Sequence, residues 1–126
     1  MSITFKELQH GHLLSDIDIN TQQQMEILLK RINMIRDAWG KPMTVTSGYR
    51  TESDQMRINP KAPRSAHTRG QAVDILDEDG SLAAWVHANE ALLEQAGLWC
   101  EATESTKGWV HFQIVPPRSG HRFFVP

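Results

Sequence analysis

The sequence is most informative between residues 65 and 74, which read SAHTRGQAVD. His67 lies near the start of this stretch, and Asp74 ends it between the apolar residues Val73 and Ile75. A carboxylate in an apolar strand is costly unless it is paired or bound to a metal ion. An imidazole and a carboxylate are both good zinc ligands. The stretch therefore predicts either an ion pair between Asp74 and an arginine or a metal site that includes His67 and Asp74.

A third candidate ligand lies in a second apolar segment, at residues 109–112. Alternation in a strand places His111 on the opposite face from its apolar neighbours. Taken alone, such a histidine is more often a buried residue that is satisfied by a backbone carbonyl. Together with His67 and Asp74 it supplies three ligands, and three protein ligands with an open fourth position are typical of catalytic zinc. A structural zinc site would more often use cysteines, and the chain has only Cys100.

The pattern of apolar residues and breakers predicts one α+β domain over residues 1–126, with an irregular segment at 1–19. Six apolar residues at helical spacing predict a helix over 21–39 with Asn20 as its N-cap: Met25, Leu28, Leu29, Ile32, Ile35 and Trp39. Shorter patterns predict strands at 43–46, 71–76, 98–101 and 109–114. Others predict helices at 51–58 and 81–96, a loop at 59–64, a hairpin turn within 102–108 and an irregular tail.

Composition limits the classes of partner. The chain has 126 residues, is 40% hydrophobic and 22% charged, and carries a net charge of −2. No basic stripe and no long apolar run is present, so we expect neither a nucleic-acid nor a membrane partner. The N-terminal segment lacks the pattern of a secretory signal, which predicts synthesis in the cytoplasm. A monomer is the default expectation. Four histidines lie in polar or helical segments typical of solvated residues: His10, His12, His87 and His121.

Three motifs in this order resemble one enzyme family. They are SGYR at 47–50, SxHxxGxAxD at 65–74 and WxH at 109–111. Together they resemble the zinc D-Ala-D-Ala carboxypeptidase family, or LAS-type metallopeptidases, over roughly residues 21–126. This family includes bacterial DD-carboxypeptidases, vancomycin-resistance dipeptidases and many bacteriophage endolysins, and the hedgehog signalling domain is a distant relative.

The resemblance implies a fold and a set of roles. The fold would be α+β, a small antiparallel sheet with packed helices and an active-site cleft across the sheet. His67, Asp74 and His111 would bind one zinc ion. Arg50 would lie near the scissile carbonyl, and Ser65 would bind substrate or order the loop before the first ligand. The implied substrate is the stem peptide of bacterial peptidoglycan, cleaved by a carboxypeptidase or an endopeptidase.

The general base is the point at which the sequence departs from the family. Many members carry an acid three residues before the last zinc histidine, where this chain has Gly108. If the hairpin turns near Ser105 and Thr106, Glu101 comes close to His111 and can act instead. Glu104 is the second candidate. A non-catalytic zinc-binding module that binds a peptide or a protein is therefore the alternative function.

The sequence is compatible with cleavage of more than one peptidoglycan bond and with more than one biological origin. Substrate selection would lie in loops such as 59–66 and 102–108. A compact chain of this kind fits a phage lysis enzyme released to the cell wall, a virion-associated protein or a prophage product.

Overall fold

The computed structural model describes residues 2–62 and 65–126 of the chain. These residues form five α-helices and five β-strands, which confirms the predicted α+β class. The helices are α1 Phe5–Gln9, α2 Ile19–Trp39, α3 Glu52–Ile58, α4 Ser81–Ala88 and α5 Glu90–Ala96. The strands are β1 Val45–Ser47, β2 Ala72–Asp77, β3 Trp99–Glu101, β4 Gly108–Gln113 and β5 Phe123–Phe124. Three 3-10 turns lie at Leu14–Asp16, Ala66–Arg69 and Thr103–Ser105.

The N-terminal segment is more regular than predicted, because it contains α1. Thr4 and Glu7 form a capping box, in which the Thr4 hydroxyl accepts from the Glu7 N–H and the Glu7 carboxylate accepts from the Thr4 N–H. The prediction of an irregular segment at 1–19 was therefore wrong over Phe5–Gln9. Leu8 of α1 is buried in the core.

Helix α2 supplies the apolar stripe that the sequence predicts. Four of its predicted residues are buried, and Leu29 and Trp39 pack partly buried against them: Met25, Leu28, Ile32 and Ile35. Its N-cap is Asp18, whose carboxylate accepts from the Thr21 N–H at 2.7 Å, and not Asn20 as predicted. The helix starts earlier because Asp18 already satisfies a free N–H of the first turn.

The five strands form one sheet in the order β1-β2-β4-β3-β5. The pairs β1–β2, β2–β4 and β3–β4 are antiparallel, whereas β5 joins β3 in parallel, so the sheet is mixed. The prediction of an irregular tail missed β5. This strand forms because the carbonyls of Arg122 and Phe124 accept from the Cys100 and Ala102 N–H groups at 2.9 and 2.6 Å.

The helix predicted at 81–96 is divided into α4 and α5 at Asn89. Its side-chain amide donates to the Trp85 carbonyl at 2.8 Å, and its own N–H bonds to the Val86 carbonyl at 3.1 Å. These bonds replace the regular helical bond and turn the chain. Gly97 ends α5 with a φ of 73°, as predicted.

The two faces of the sheet have different environments. Residues on one face pack with α2, α4 and α5 into a single buried cluster, which includes Val73, Ile75, Val110 and Phe112. The opposite face carries the polar and partly exposed residues and forms the floor of a cleft, as the resemblance implied. Within residues 2–62 and 65–126, no helix has the length and apolar character of a membrane span. The predicted loop 59–64 is irregular from 59 to 62, and Pro63 and Arg64 lie outside the described residues.

Candidate metal centre

The fold brings the three predicted metal ligands together on the cleft face of the sheet. Asp74 in β2 and His111 in β4 are directly opposite each other in the antiparallel ladder. His67 reaches them from the 3-10 turn Ala66–Arg69. One ligand atom from each residue lies within 4.8 Å of the other two, and all three side chains are buried. The group can therefore hold one metal ion.

Contacts with Ser65 and Gly48 fix the orientation of His67. The Ser65 hydroxyl accepts from the His67 N–H at 3.2 Å and caps the turn. The ring Nδ1 lies 2.8 Å from the Gly48 carbonyl oxygen, so Nδ1 carries the proton and donates it. The lone pair of Nε2 then faces Asp74 Oδ2 at 3.3 Å. Ser65 thus orders the loop, and its predicted contact with substrate stays a prediction.

Two glycines in the motifs allow the backbone to approach closely enough to build this site. A Cβ on Gly48 would lie 2.4 Å from the Leu8 carbonyl oxygen, because α1 crosses the SGYR segment at this point. A Cβ on Gly70 would meet Met25 and Thr21 of α2 within 2.8 Å, and Gly70 has a φ of 70°. Both positions therefore require glycine.

A side chain outside the motifs orients His111. His111 Nε2 lies 2.8 Å from Gln113 Oε1, and Gln113 Nε2 donates to the Val115 carbonyl at 2.8 Å. The second bond fixes the amide, so that its oxygen faces the ring and Nε2 of His111 must be the donor. In a neutral ring, Nδ1 then presents a lone pair to Asp74 Oδ1 at 2.8 Å.

The two rings can lie this close to the Asp74 carboxylate only if a positive charge lies between them. Each neutral histidine directs a lone pair at an oxygen of Asp74, and two acceptors at these distances repel each other unless a proton or a cation lies between them. Two imidazole nitrogens and one carboxylate suit zinc, and two ligand atoms of a tetrahedral zinc ion lie about 3.4 Å apart. The donor set therefore fits a zinc ion. The 3.3 Å between His67 Nε2 and Asp74 Oδ2 is close to this spacing, and the 2.8 Å between His111 Nδ1 and Asp74 Oδ1 is shorter.

The pKa shifts of the three residues differ in direction because each has a different balance of burial and hydrogen bonds. Burial lowers the pKa of His67 and favours the neutral ring that a metal ion requires. Burial acts in the same direction on His111, but the hydrogen bond and charge of Asp74 outweigh it and raise the pKa of that ring. Burial raises the pKa of Asp74, yet the hydrogen bonds from His111 and His67 outweigh burial and hold the pKa well below its ordinary value. Asp74 is therefore ionised at neutral pH.

Arg50 lies beside the centre and is held by neighbouring side chains. Its Nε donates to the Ser47 hydroxyl and its Nη1 to Gln55 Oε1, both at 2.9 Å. Its Nη2 forms an ion pair with Asp74 Oδ2 at 3.5 Å. Gln55 is itself buried and donates to the Ala62 carbonyl at 2.9 Å. Within residues 2–62 and 65–126, these contacts engage three of the five guanidinium N–H groups and leave two without a partner. The ion pair predicted for Asp74 therefore exists beside the metal ligands.

Of the two candidate bases, Glu101 lines the cleft. The cleft has a volume of about 400 Å³, and its walls include Glu101, Arg50, Ser65 and Trp109 besides the three ligands. In the β3–β4 ladder, Cys100 is opposite Phe112. If this register continues by one residue, Glu101 is opposite His111, which is the arrangement that the sequence predicts.

The environment of Glu101 suits proton transfer. Glu101 is half-buried, and burial raises its pKa. The charge of His111 lowers this pKa, whereas the charge of Asp74 raises it. Glu104 is exposed in the turn Thr103–Ser105 and does not line this cleft.

Gly108, at the start of β4, has a backbone conformation that favours glycine. Its φ is 97°, a left-handed value at which an L-residue such as glutamate is strained. A glutamate at residue 108 would therefore strain the backbone at the start of β4.

Two residues that orient the ligands, Gly48 and Gln113, are not among the site residues predicted from the sequence. Gln113 follows His111 by two residues and so shares its face of the strand, which the period of two could have revealed. Gly48 belongs to the SGYR motif, but nothing in the sequence indicates that its carbonyl meets His67.

Two of three comparisons with known proteins find a similar family or structure. A search of the curated proteins finds no match to the sequence. The chain is similar in structure to the crystal structure of Serratia marcescens L-Ala D-Glu endopeptidase ChiX, with a TM-score of 0.55 and 18% identity. The match covers 83% of this chain and 93% of that one, and at this identity it shows a common fold. Similarity to the hedgehog signalling domain stays a prediction.

The family assignment comes from the sequence profile described as Peptidase M15. This profile matches residues 3–113, which include all three candidate ligands, Arg50 and Glu101. The chain therefore belongs to the peptidase M15 family.

Proposed function

We propose that this protein is a zinc-dependent peptidase that hydrolyses a peptide bond in the stem peptide of bacterial peptidoglycan. The observation that carries the proposal is the centre formed by His67, Asp74 and His111, in which both rings direct a lone pair at the carboxylate. Membership of a peptidase family supports hydrolysis of a peptide bond. The likeness in fold to an L-Ala D-Glu endopeptidase supports a peptidoglycan peptide as the substrate.

The residues around the centre have the properties that peptide hydrolysis requires. When bound, zinc supplies an acidified water and a Lewis acid for the scissile carbonyl. Arg50 has two N–H groups with no partner among the described residues, and these stabilise the developing oxyanion or bind a carboxylate of the substrate. Gly48 and Gln113 hold the two rings in the required tautomers.

Glu101 is the general base in this proposal. Its carboxylate lines the cleft next to His111, and its raised pKa brings it closer to neutral pH than that of an exposed glutamate. Glu101 accepts a proton from the attacking water at a carboxylate oxygen. It then gives this proton to the nitrogen of the leaving amine, which departs as the peptide bond breaks.

The test compares two glutamates of the same hairpin. Glu101→Gln should bind zinc as the parent protein does and lower the turnover of a synthetic stem peptide by about 10²–10⁴-fold, the usual contribution of a general base. Glu104→Gln is the matched control, because Glu104 is exposed and outside the cleft, and its turnover should stay within about twofold of the parent. Equal activity of the two variants would exclude Glu101 as the base.

Zymography on purified cell walls tests the function itself. Clearing that a chelator abolishes and added zinc restores is the expected result. A protein that binds zinc but clears no type of wall would instead be the non-catalytic module.

A further inference from the structure

The metal cleft contains a partly exposed tryptophan that the proposed catalysis does not use. The chain has four tryptophans, and the rings of three of them have partners. Trp39 and Trp85 pack against each other with their ring centroids 5.3 Å apart. The Arg122 guanidinium lies 4.5 Å from the ring centroid of Trp99. The fourth, Trp109, is 36% exposed and lines the cleft, and in the described part of the chain neither an aromatic ring nor a cation stacks on it.

Trp109 belongs to an exposed apolar surface on the cleft face of the sheet. Its direct partner in the β2–β4 ladder is Leu76, which is 41% exposed. We call the pair of Trp109 and Leu76 the apolar shelf. Because side chains alternate along a strand, the apolar shelf lies on the same face as the opposed pair of Asp74 and His111. The metal ligands and the apolar shelf are therefore neighbouring rows of one surface.

The strands fix the distance between the apolar shelf and the metal centre. Leu76 follows Asp74 by two residues, and Trp109 precedes His111 by two residues. A strand rises about 3.3 Å per residue, so the two rows are about 7 Å apart. On the other side of His111 the next residue of this face is Gln113, whose amide is already bound to His111. Along β4, the exposed apolar side chain therefore lies on one side of the metal ligand and a polar one on the other.

The side chains of a peptidoglycan stem peptide do not match the apolar shelf. They are methyl groups, carboxylates and the amine-bearing chain of a diamino acid, and none of them has a broad apolar face. A pyranose ring has such a face, because several of its C–H groups point to the same side. An indole can bury this face without any charge, and tryptophan is among the residues that contribute most to binding. The sugar that carries the stem peptide is therefore the group that the apolar shelf suits best.

Polar side chains next to the apolar shelf suit the hydroxyl groups of a sugar. Leu76 also lines a second cavity of about 390 Å³, whose walls include Thr44, Lys41 and Glu78. These three polar residues are exposed. Thr44 is the neighbour of Leu76 across the sheet, since its carbonyl accepts from the Leu76 N–H at 2.9 Å. An apolar surface with hydrogen-bonding groups at its edge is complementary to a sugar ring.

We infer that the apolar shelf is a subsite for the sugar ring to which the stem peptide is attached. This inference rests on the proposed peptidase function. In peptidoglycan, a lactyl group joins the sugar to the amino group of the first residue of the peptide. One residue and this link together span about two residue lengths, or about 7 Å. The apolar shelf lies at this distance from the metal ligands, so the scissile bond is the one that follows the first residue.

The test uses two synthetic ligands that differ only in the sugar. Both contain the same stem peptide with a lactyl group on its first residue, and in one of them the lactyl group carries the N-acetylated sugar ring. Dissociation constants are measured by calorimetry on zinc-loaded Glu101→Gln protein, and KM and kcat on the parent protein. The ligand with the sugar should bind about tenfold more tightly, the effect of removing about 60 Å² of apolar surface from water. This ratio should persist as salt is added, because the contact involves no charge.

Variants of two tryptophans locate the contact. In the Glu101→Gln background, Trp109→Leu should bring the ratio of the two affinities close to one, whereas Trp109→Tyr keeps an aromatic face and should retain most of the ratio. Trp99→Leu is the matched control, because the Arg122 guanidinium covers the Trp99 ring and Trp99 lines neither cavity. With Glu101 intact, Trp109→Leu should raise KM for the ligand with the sugar and leave kcat unchanged.

Three results would overturn the sugar subsite. They are equal affinity of the Glu101→Gln protein for both ligands, an unchanged ratio in Trp109→Leu, and an equal loss for both ligands in Trp109→Leu. Mass spectrometry of the products identifies the bond that is cut, and a cut beyond the first residue would contradict the placement of the sugar. If the parent protein hydrolyses neither ligand, the proposed function is wrong, whereas the ratio of dissociation constants still decides the subsite.

Discussion

The close crossing of α1 over Gly48 makes this glycine the most informative position to change. In Gly48→Ala the new Cβ would lie 2.4 Å from the Leu8 carbonyl oxygen and 3.0 Å from the Leu8 carbonyl carbon. These are backbone atoms, which cannot rotate away as the end of a side chain can. The two segments must separate by about 1 Å to restore an ordinary van der Waals contact. Two hydrogen bonds meet there, Tyr49 N–H to Leu8 O and His67 Nδ1–H to Gly48 O, both at 2.8 Å.

The size of the effect follows from these contacts. Overpacking of this kind costs about 1–3 kcal/mol, and a weakened hydrogen bond adds about 1 kcal/mol. A loss of about 3 kcal/mol, the middle of the summed range, lowers the Tm of a chain of this length by about 11 °C. The displaced carbonyl no longer fixes the His67 ring, and loss of such an orienting contact typically lowers metal affinity by about 10–100-fold. We therefore expect both a lower Tm and weaker zinc binding.

Two measurements separate these effects. The Tm of the metal-free protein is followed by circular dichroism, and zinc affinity by competition with a chromophoric chelator. Gly80→Ala is the control, because Gly80 has a φ of 75° and open space around it, so the change strains the backbone away from the metal centre. Its Tm should fall while its zinc affinity stays that of the parent. If Gly48→Ala behaves in the same way, the Gly48 carbonyl does not orient His67.

Three further predictions concern the centre and the core. Gln113→Ala removes the acceptor of His111 Nε2 and should weaken zinc binding by about 10–100-fold in the same competition assay, with little change in Tm. Zinc at a concentration about 1,000 times its dissociation constant should stabilise the protein by about 4 kcal/mol, and an excess of chelator should reverse the rise in Tm; no shift would mean no zinc binding by the folded state. Burial raises the pKa of the Cys100 thiol to about 12, so a thiol reagent at a pH of about 8 should label it only after denaturation.

The sequence predicted the residues of the candidate site better than it predicted the secondary structure around them. Asp74 and His111 stand out because a polar side chain in an apolar strand is costly unless a partner or a metal ion compensates it. The position of Glu101 could be predicted because the register of a hairpin follows from its turn. Gln113 could have been predicted from the alternation of faces along the strand. The capping box could have been predicted from the spacing of Thr4 and Glu7.

Other features depend on contacts between distant residues and could not be predicted. Strand β5 has two residues, and it exists because the chain returns to the free edge of β3. The close approach of Leu8 to Gly48 depends on how α1 packs on the core. The break at Asn89 follows from a side-chain bond that competes with the helix, and the sequence allows a continuous helix equally well.

The pairing of Asp74 with His111 also links the metal centre to the folding of the chain. The two residues are 37 positions apart, so neither β2 nor β4 can form the centre from its own segment. A slip of one residue between these strands would turn His111 into the core and place an apolar side chain in the cleft. A metal ion held at this pair would therefore bind only the sheet with native pairing. Its uptake during refolding should follow the slow closure of long-range contacts rather than the early formation of α2.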